Sequence, residues 1–183
     1  MSQETASLVL KSSDLTFGSS NTTGTADQYG TILTWNNINL RTLLGDLYDK
    51  YDRFNLCLNT LASAVGTSVG STSDDRCTYI TISGLPWTNN TYNQSSGFNN
   101  NSTVIASCFW NQNSQTTQYY YGNNTATFGK NQDVCNITIS LLRISDNKKP
   151  ASANAFPNTV YIFDIVGVDE YRVKDITQAR ILK

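Results

Sequence analysis

Apolar and polar positions change period several times along this chain, and those changes outline its elements. Thr31–Trp35 alternates, with Leu33 and Trp35 on one face. From Leu40 the period lengthens: Leu40, Leu43, Leu44, Leu47 and Tyr51 fall on one face of a helix over residues 40–52. Asn39 is placed to cap its start, and Asp46, Asp49 and Asp52 face the other way as a solvated surface. Alternation then returns. Phe54, Leu56 and Leu58 interleave with Asn55, Cys57 and Asn59, and in Cys77–Ser83 the residues Thr78, Ile80 and Ile82 share one face. Val104–Trp110 reads as a strand. Gln118–Tyr121 and Ala126–Phe128 read as a hairpin about Gly122-Asn123. Val134–Leu142 alternates cleanly. Val160–Val168 is apolar on both faces, as expected for a central strand or one covered by another subunit.

Before the first strong strand, residues 1–30 alternate only weakly at Leu8 and Leu10 and then enter a Ser/Thr/Gly stretch. They read as an N-terminal arm, ahead of a domain over 31–183. Two long polar segments, Trp87–Thr103 and the one preceding Val160, read as loops at the ends of a sandwich. The segment from Glu170 to Lys183 is basic and amphipathic and has no assigned element.

Eight or nine strands at regular spacing, one inserted helix and no βαβ alternation predict an all-β fold. A single jelly-roll β-sandwich of about eight antiparallel strands fits best. An immunoglobulin-like sandwich fits less well, because the Cys…Trp…Cys spacing is missing and an inserted helix is foreign to it.

Composition narrows the chemistry. Only 15% of the 183 residues are charged, and Asn, Thr, Ser and Gln take their place, which suits sheets that meet neighbours without repulsion. A net charge of −1 gives no pull toward nucleic acid or an anionic membrane, so neither is expected as a partner. There is no His, which removes Ser-His-Asp and Cys-His catalysis and nearly every zinc site; no enzyme activity, cofactor or metal is expected. The adjacent carboxylate pairs Asp74-Asp75 and Asp169-Glu170 read as turn residues. Cys57, Cys77, Cys108 and Cys135 have no metal spacing; they read as small buried hydrophobes, with disulfides of a secreted form as the alternative. No apolar run is long enough for a membrane helix. The segment MSQETASLVLKSSD is not a secretory signal, so cytosolic synthesis is expected and the Asn-x-Ser/Thr triplets read as composition.

Three segments carry a resemblance. LRTLLGDLYDKYDRFNLCLNTLASA (Leu40 to Ala64), TTQYYYGNNTATFGKNQDVCNITISLLRI in the middle, and TVYIFDIVGVD (Thr159 to Asp169) resemble small capsid proteins of nucleocytoplasmic large DNA viruses. The resemblance covers about three quarters of the chain and omits the arm. It implies a single jelly roll in an icosahedral shell, as a penton subunit at the vertices or a minor capsid protein beneath the major capsomers. It implies other capsid proteins as partners, a homo-oligomer (a pentamer among the options) and location in the virion. It brings no active-site residues. Candidate interface residues are Leu43, Leu47 and Tyr51 on the helix, Trp87, Tyr92 and Phe98 in the first long loop, and Phe156 in the second. The competing reading is a lectin-like or trimeric receptor-binding head, in which Trp87 and Tyr92 stack on sugars.

Overall fold

A computed structural model describes residues 4–64, 77–86, 102–109, 117–120, 125–146, 148–149 and 158–168. The strands are β1 (Thr5–Lys11), β2 (Ser19–Ser20), β3 (Gly24–Ala26), β4 (Ile32–Asn39), β5 (Arg53–Ala64), β6 (Cys77–Ser83), β7 (Ser102–Phe109), β8 (Thr117–Tyr120), β9 (Thr125–Gly129), β10 (Val134–Arg143) and β11 (Asn158–Val168). Two short helices, α1 (Leu40–Leu44) and α2 (Asp46–Lys50), lie between β4 and β5.

One sheet, sheet A, has the order β1-β11-β5-β8, with β9 also on β5; the other, sheet B, runs β2-β3-β4-β10-β6-β7. All these pairings are antiparallel. The partners are nested about the middle of the chain: β6 with β7, β5 with β8 and β9, β4 with β10, β1 with β11. A chain folded in half and then rolled so that successive pairs fall in alternate sheets has this pattern. It is the jelly roll, and an immunoglobulin order is excluded. Setting aside the short edge strands β2 and β3 and counting β8–β9 as one interrupted strand leaves the expected eight.

Alternation places the core between the sheets. In β11, Tyr161, Phe163 and Ile165 are buried; in β10, Cys135, Ile137, Ile139 and Leu141; in β5, Phe54, Leu56 and Leu58. Trp35 of sheet B meets Tyr161 of sheet A edge-on at 6.3 Å between centroids, and its Nε1 donates to the Lys11 carbonyl at 3.2 Å. Phe54 and Phe128 pack at 5.4 Å. A buried polar knot closes one region: the Ser63 and Thr159 hydroxyls lie 2.8 Å apart, and the Thr159 N–H donates to Ser12 Oγ at 2.8 Å.

Three expectations change. The segment read as an arm enters the sandwich: β1 pairs with β11 over seven residues, and Leu8, Leu10 and Leu15 join the core. The hydrophobic gain of those leucines favours docking over a free arm. Among the described residues, the segments read as a hairpin pair with β5 and not with each other. Thr117–Tyr120 lies against Leu61–Ala64 and Thr125–Gly129 against Arg53–Cys57, as successive pieces of one edge of β5. The helix over 40–52 is two helices broken at Gly45, whose φ of 53° and ψ of −129° suit glycine. Gly45 closes α1 through its N–H to the Arg41 carbonyl at 3.0 Å and opens α2 by accepting from the Tyr48 N–H at 3.1 Å.

Candidate interaction surface

The helix pair sits at one end of the sandwich and carries three of the candidate interface residues. Asn39 caps α1 as expected, its Oδ1 accepting from the Thr42 N–H at 2.9 Å. The apolar face that the period marks is turned onto the protein's own core. Leu40, Leu44, Leu47 and Tyr48 are buried, and Leu43 and Tyr51 are half-buried against them. Leu47 therefore offers no surface to a partner. Tyr51 lies on the backbone of β11 at Gly167, where an added Cβ would stand 2.2 Å from Tyr51 Cδ2. Glycine at 167 makes room for the ring, and the ring closes the end of the sandwich.

The outer side of the pair is a polar clasp. The Tyr48 hydroxyl donates to Asp133, and the Leu40 N–H donates to the Asp133 carbonyl at 2.7 Å. Arg41 and Lys130 lie 4.5 Å and 5.3 Å from the centroid of the Tyr48 ring. Lys130 also donates to the Tyr48 carbonyl at 2.8 Å and pairs with Asp52 at 3.0 Å. The hydrogen bond to Asp133 pushes the Tyr48 phenol above its ordinary pKa. The hydroxyl therefore stays protonated, and the clasp fastens the helix pair to the connection between β9 and β10. Arg41–Asp49 at 3.2 Å and Lys50–Glu4 at 2.8 Å are exposed pairs, screened by solvent and adding little to the clasp.

Trp87, Tyr92, Phe98, Phe156 and Trp110 lie outside the described residues, as do Asp74-Asp75 and Asp169-Glu170. Cys57, Cys108 and Cys135 are in the thiol form, and burial raises the Cys135 pKa to about 11. Among the described residues no group of three or more His, Cys, Asp or Glu could hold a metal ion. Nor is any described helix long and apolar enough to cross a membrane.

The broad outer faces of the sandwich carry features that the sequence marks only in part. Ser20, Thr25, Thr34, Thr138, Ser83 and Ser102 occupy one register row across all six strands of sheet B. Hydroxyls pair along it, Ser20 with Thr25 at 3.3 Å and Thr34 with Thr138 at 2.8 Å. The alternation of β10 shows single hydroxyls, but their alignment needs the register. On sheet A the outward positions of β1 and β11 include Val9, Val160, Ile162 and Val166, with Val9 48% exposed. Beside the edge of sheet B, Ser19, Ser20, Thr25, Gln28, Tyr29 and Lys149 help to line an open concavity of about 600 Å³.

No family model, curated protein or solved structure matches the chain.

Proposed function

We propose that the chain is a structural subunit of an icosahedral viral capsid, a penton or minor capsid protein acting through protein–protein contacts and performing no catalysis. The observation that carries the reading is the nested jelly-roll strand order. It leaves two broad sheet faces and one helical end. The helical end is stitched to its own core, so the sheet faces and the end loops are the surfaces left for neighbours. The hydroxyl row of sheet B carries no charge, which lets subunits meet without like-charge repulsion. The test is a search for this chain in purified particles, by mass spectrometry and an icosahedral reconstruction. A jelly roll with the order β1-β11-β5-β8 in the shell supports the reading; absence from the particles refutes it.

A carbohydrate-binding head is the second reading, favoured by the open concavity with Tyr29, Gln28 and several hydroxyls on its wall. Binding to a glycan array that is lost in Tyr29→Ala supports it, and an array without hits removes it.

A further inference from the structure

We propose that the outer face of sheet A is a self-complementary interface that pairs two copies of this chain about a two-fold axis. Its centre is apolar. Val9 of β1 and Ile162 of β11 are register partners and both point outward, because Leu8, Leu10, Tyr161 and Phe163 point into the core. Val160 continues the apolar stripe on one side and Val166 lies beyond Asp164 on the other, both half-buried in the free chain. β11 is the inner neighbour of both β1 and β5, so its outward valines and isoleucine lie in the middle of the face and not at an edge.

Two charges flank that centre with opposite sign. Lys11 is the partner of Val160, one outward rung to one side of the Val9–Ile162 row. Asp164 is the partner of Ser7, one outward rung to the other side. Neither makes an ion pair among the described residues. Lys11 is exposed, and Asp164 accepts a hydrogen bond from Asn59 Nδ2 at 2.5 Å. A two-fold axis lying along the Val9–Ile162 row exchanges the two sides. It stacks each central residue on its own copy and carries Lys11 of one copy over Ser7 of the other, one strand from Asp164. Packed sheets lie about 10 Å apart and strands about 4.8 Å apart, so the lysine reaches the carboxylate. Both ion pairs form at once, and no like charges meet.

The area suits a dimer of modest strength. Four strands and the seven residues over which β1 meets β11 span about 19 Å by 23 Å, roughly 440 Å² in projection. The accessible area of a pleated face exceeds its projection, which brings it toward the about 800 Å² per partner of a standard interface. An isologous contact of this kind closes after two copies.

Analytical ultracentrifugation of the full chain and its variants tests the proposal, with thermal melts confirming that each variant folds. The chain dimerises, and Lys11→Glu or Asp164→Lys alone raises the dimer Kd at least about tenfold. The double variant Lys11→Glu/Asp164→Lys returns to within about threefold of the unaltered chain, since the swap restores both pairs. A Val9→Cys chain in a Cys57→Ser background is joined to its own copy by a short bismaleimide cross-linker, whose reach suits facing sheets about 10 Å apart. A chain that stays monomeric at about 0.5 mM, or two single effects that add without compensation, overturns the interface. The shell reading is tested separately. A chain present in particles but monomeric when purified loses this face alone, and a chain that dimerises but is absent from particles loses only the shell.

Discussion

Replacing Gly167 by alanine tests whether Tyr51 belongs to the fold or to an interface. The new methyl would lie 2.2, 2.5 and 2.6 Å from Tyr51 Cδ2, Cγ and Cε2, where an ordinary contact is 3.4–4 Å. The ring therefore has to retreat by more than about 1 Å, and overpacking of this kind costs about 1–3 kcal/mol. Gly167 does not have a positive φ, so alanine adopts the same backbone and regains about 0.4–1 kcal/mol by restricting the unfolded chain. The net loss is about 1–2 kcal/mol. Tyr51→Ala alone costs about 2 kcal/mol, less than a fully buried aromatic because the ring is half-buried. In that background Gly167→Ala meets no ring, and its cost falls to zero or turns slightly favourable. Urea unfolding of the four proteins, followed by tryptophan fluorescence at concentrations below self-association, gives the cycle. A coupling of about 1–2.5 kcal/mol is expected. Additive effects within about 0.3 kcal/mol, or a Tyr51→Ala chain of unchanged monomer stability and altered association, would refute the placement of Tyr51 as an end plug.

Other expectations follow from single positions. The Tyr161 hydroxyl is buried with no hydrogen-bond partner among the described residues, so Tyr161→Phe stabilises the chain by about 1 kcal/mol in urea titrations; a loss of that size would mean the hydroxyl is satisfied. Gly84 has a φ of +97° and an added Cβ would stand 1.7 Å from the Asn136 carbonyl oxygen, a backbone atom of β10. Gly84→Ala should cost about 2–5 kcal/mol, and a cost under about 1 kcal/mol contradicts the close strand contact. Burial raises the Cys135 pKa from 9.0 to about 11, so the unfolded chain releases this proton first and stability falls as pH rises from 9 toward 11. Cys135→Ala should flatten the stability slope between pH 9 and 10, below the range in which the raised Tyr48 and Tyr161 phenols contribute. An unchanged slope removes the assignment.

What the sequence makes legible here is what one segment can say about itself. Period two marks β4, β5, β6 and β10, because each turns its apolar positions to the core and its polar ones to the outer face. The double-sided apolarity of β11 marks its central place. β1 is hard to read because its main credential, a partner about 150 residues away in β11, is not local. The Gly-Asn pair between β8 and β9 has hairpin chemistry, yet both flanking runs are claimed by β5, so tertiary pairing outweighs the turn signal. The break at Gly45 is hidden because Leu40, Leu44, Leu47 and Tyr51 keep one face across it. For the same reason periodicity alone cannot say whether Leu43, Leu47 and Tyr51 face a partner or the chain's own core. The outer-face features, Lys11 opposite Val160 and the Ser/Thr register row of sheet B, exist only once the register is known.

The central claim is that this jelly roll acts by being built into a shell. The most direct measurement is its copy number and position in purified particles, from quantitative mass spectrometry joined to an icosahedral reconstruction. The account predicts a fixed number of copies per particle and ordered density for the two sheets among the capsomers. A chain missing from the particles, or present in variable traces with no ordered density in the shell, would contradict it.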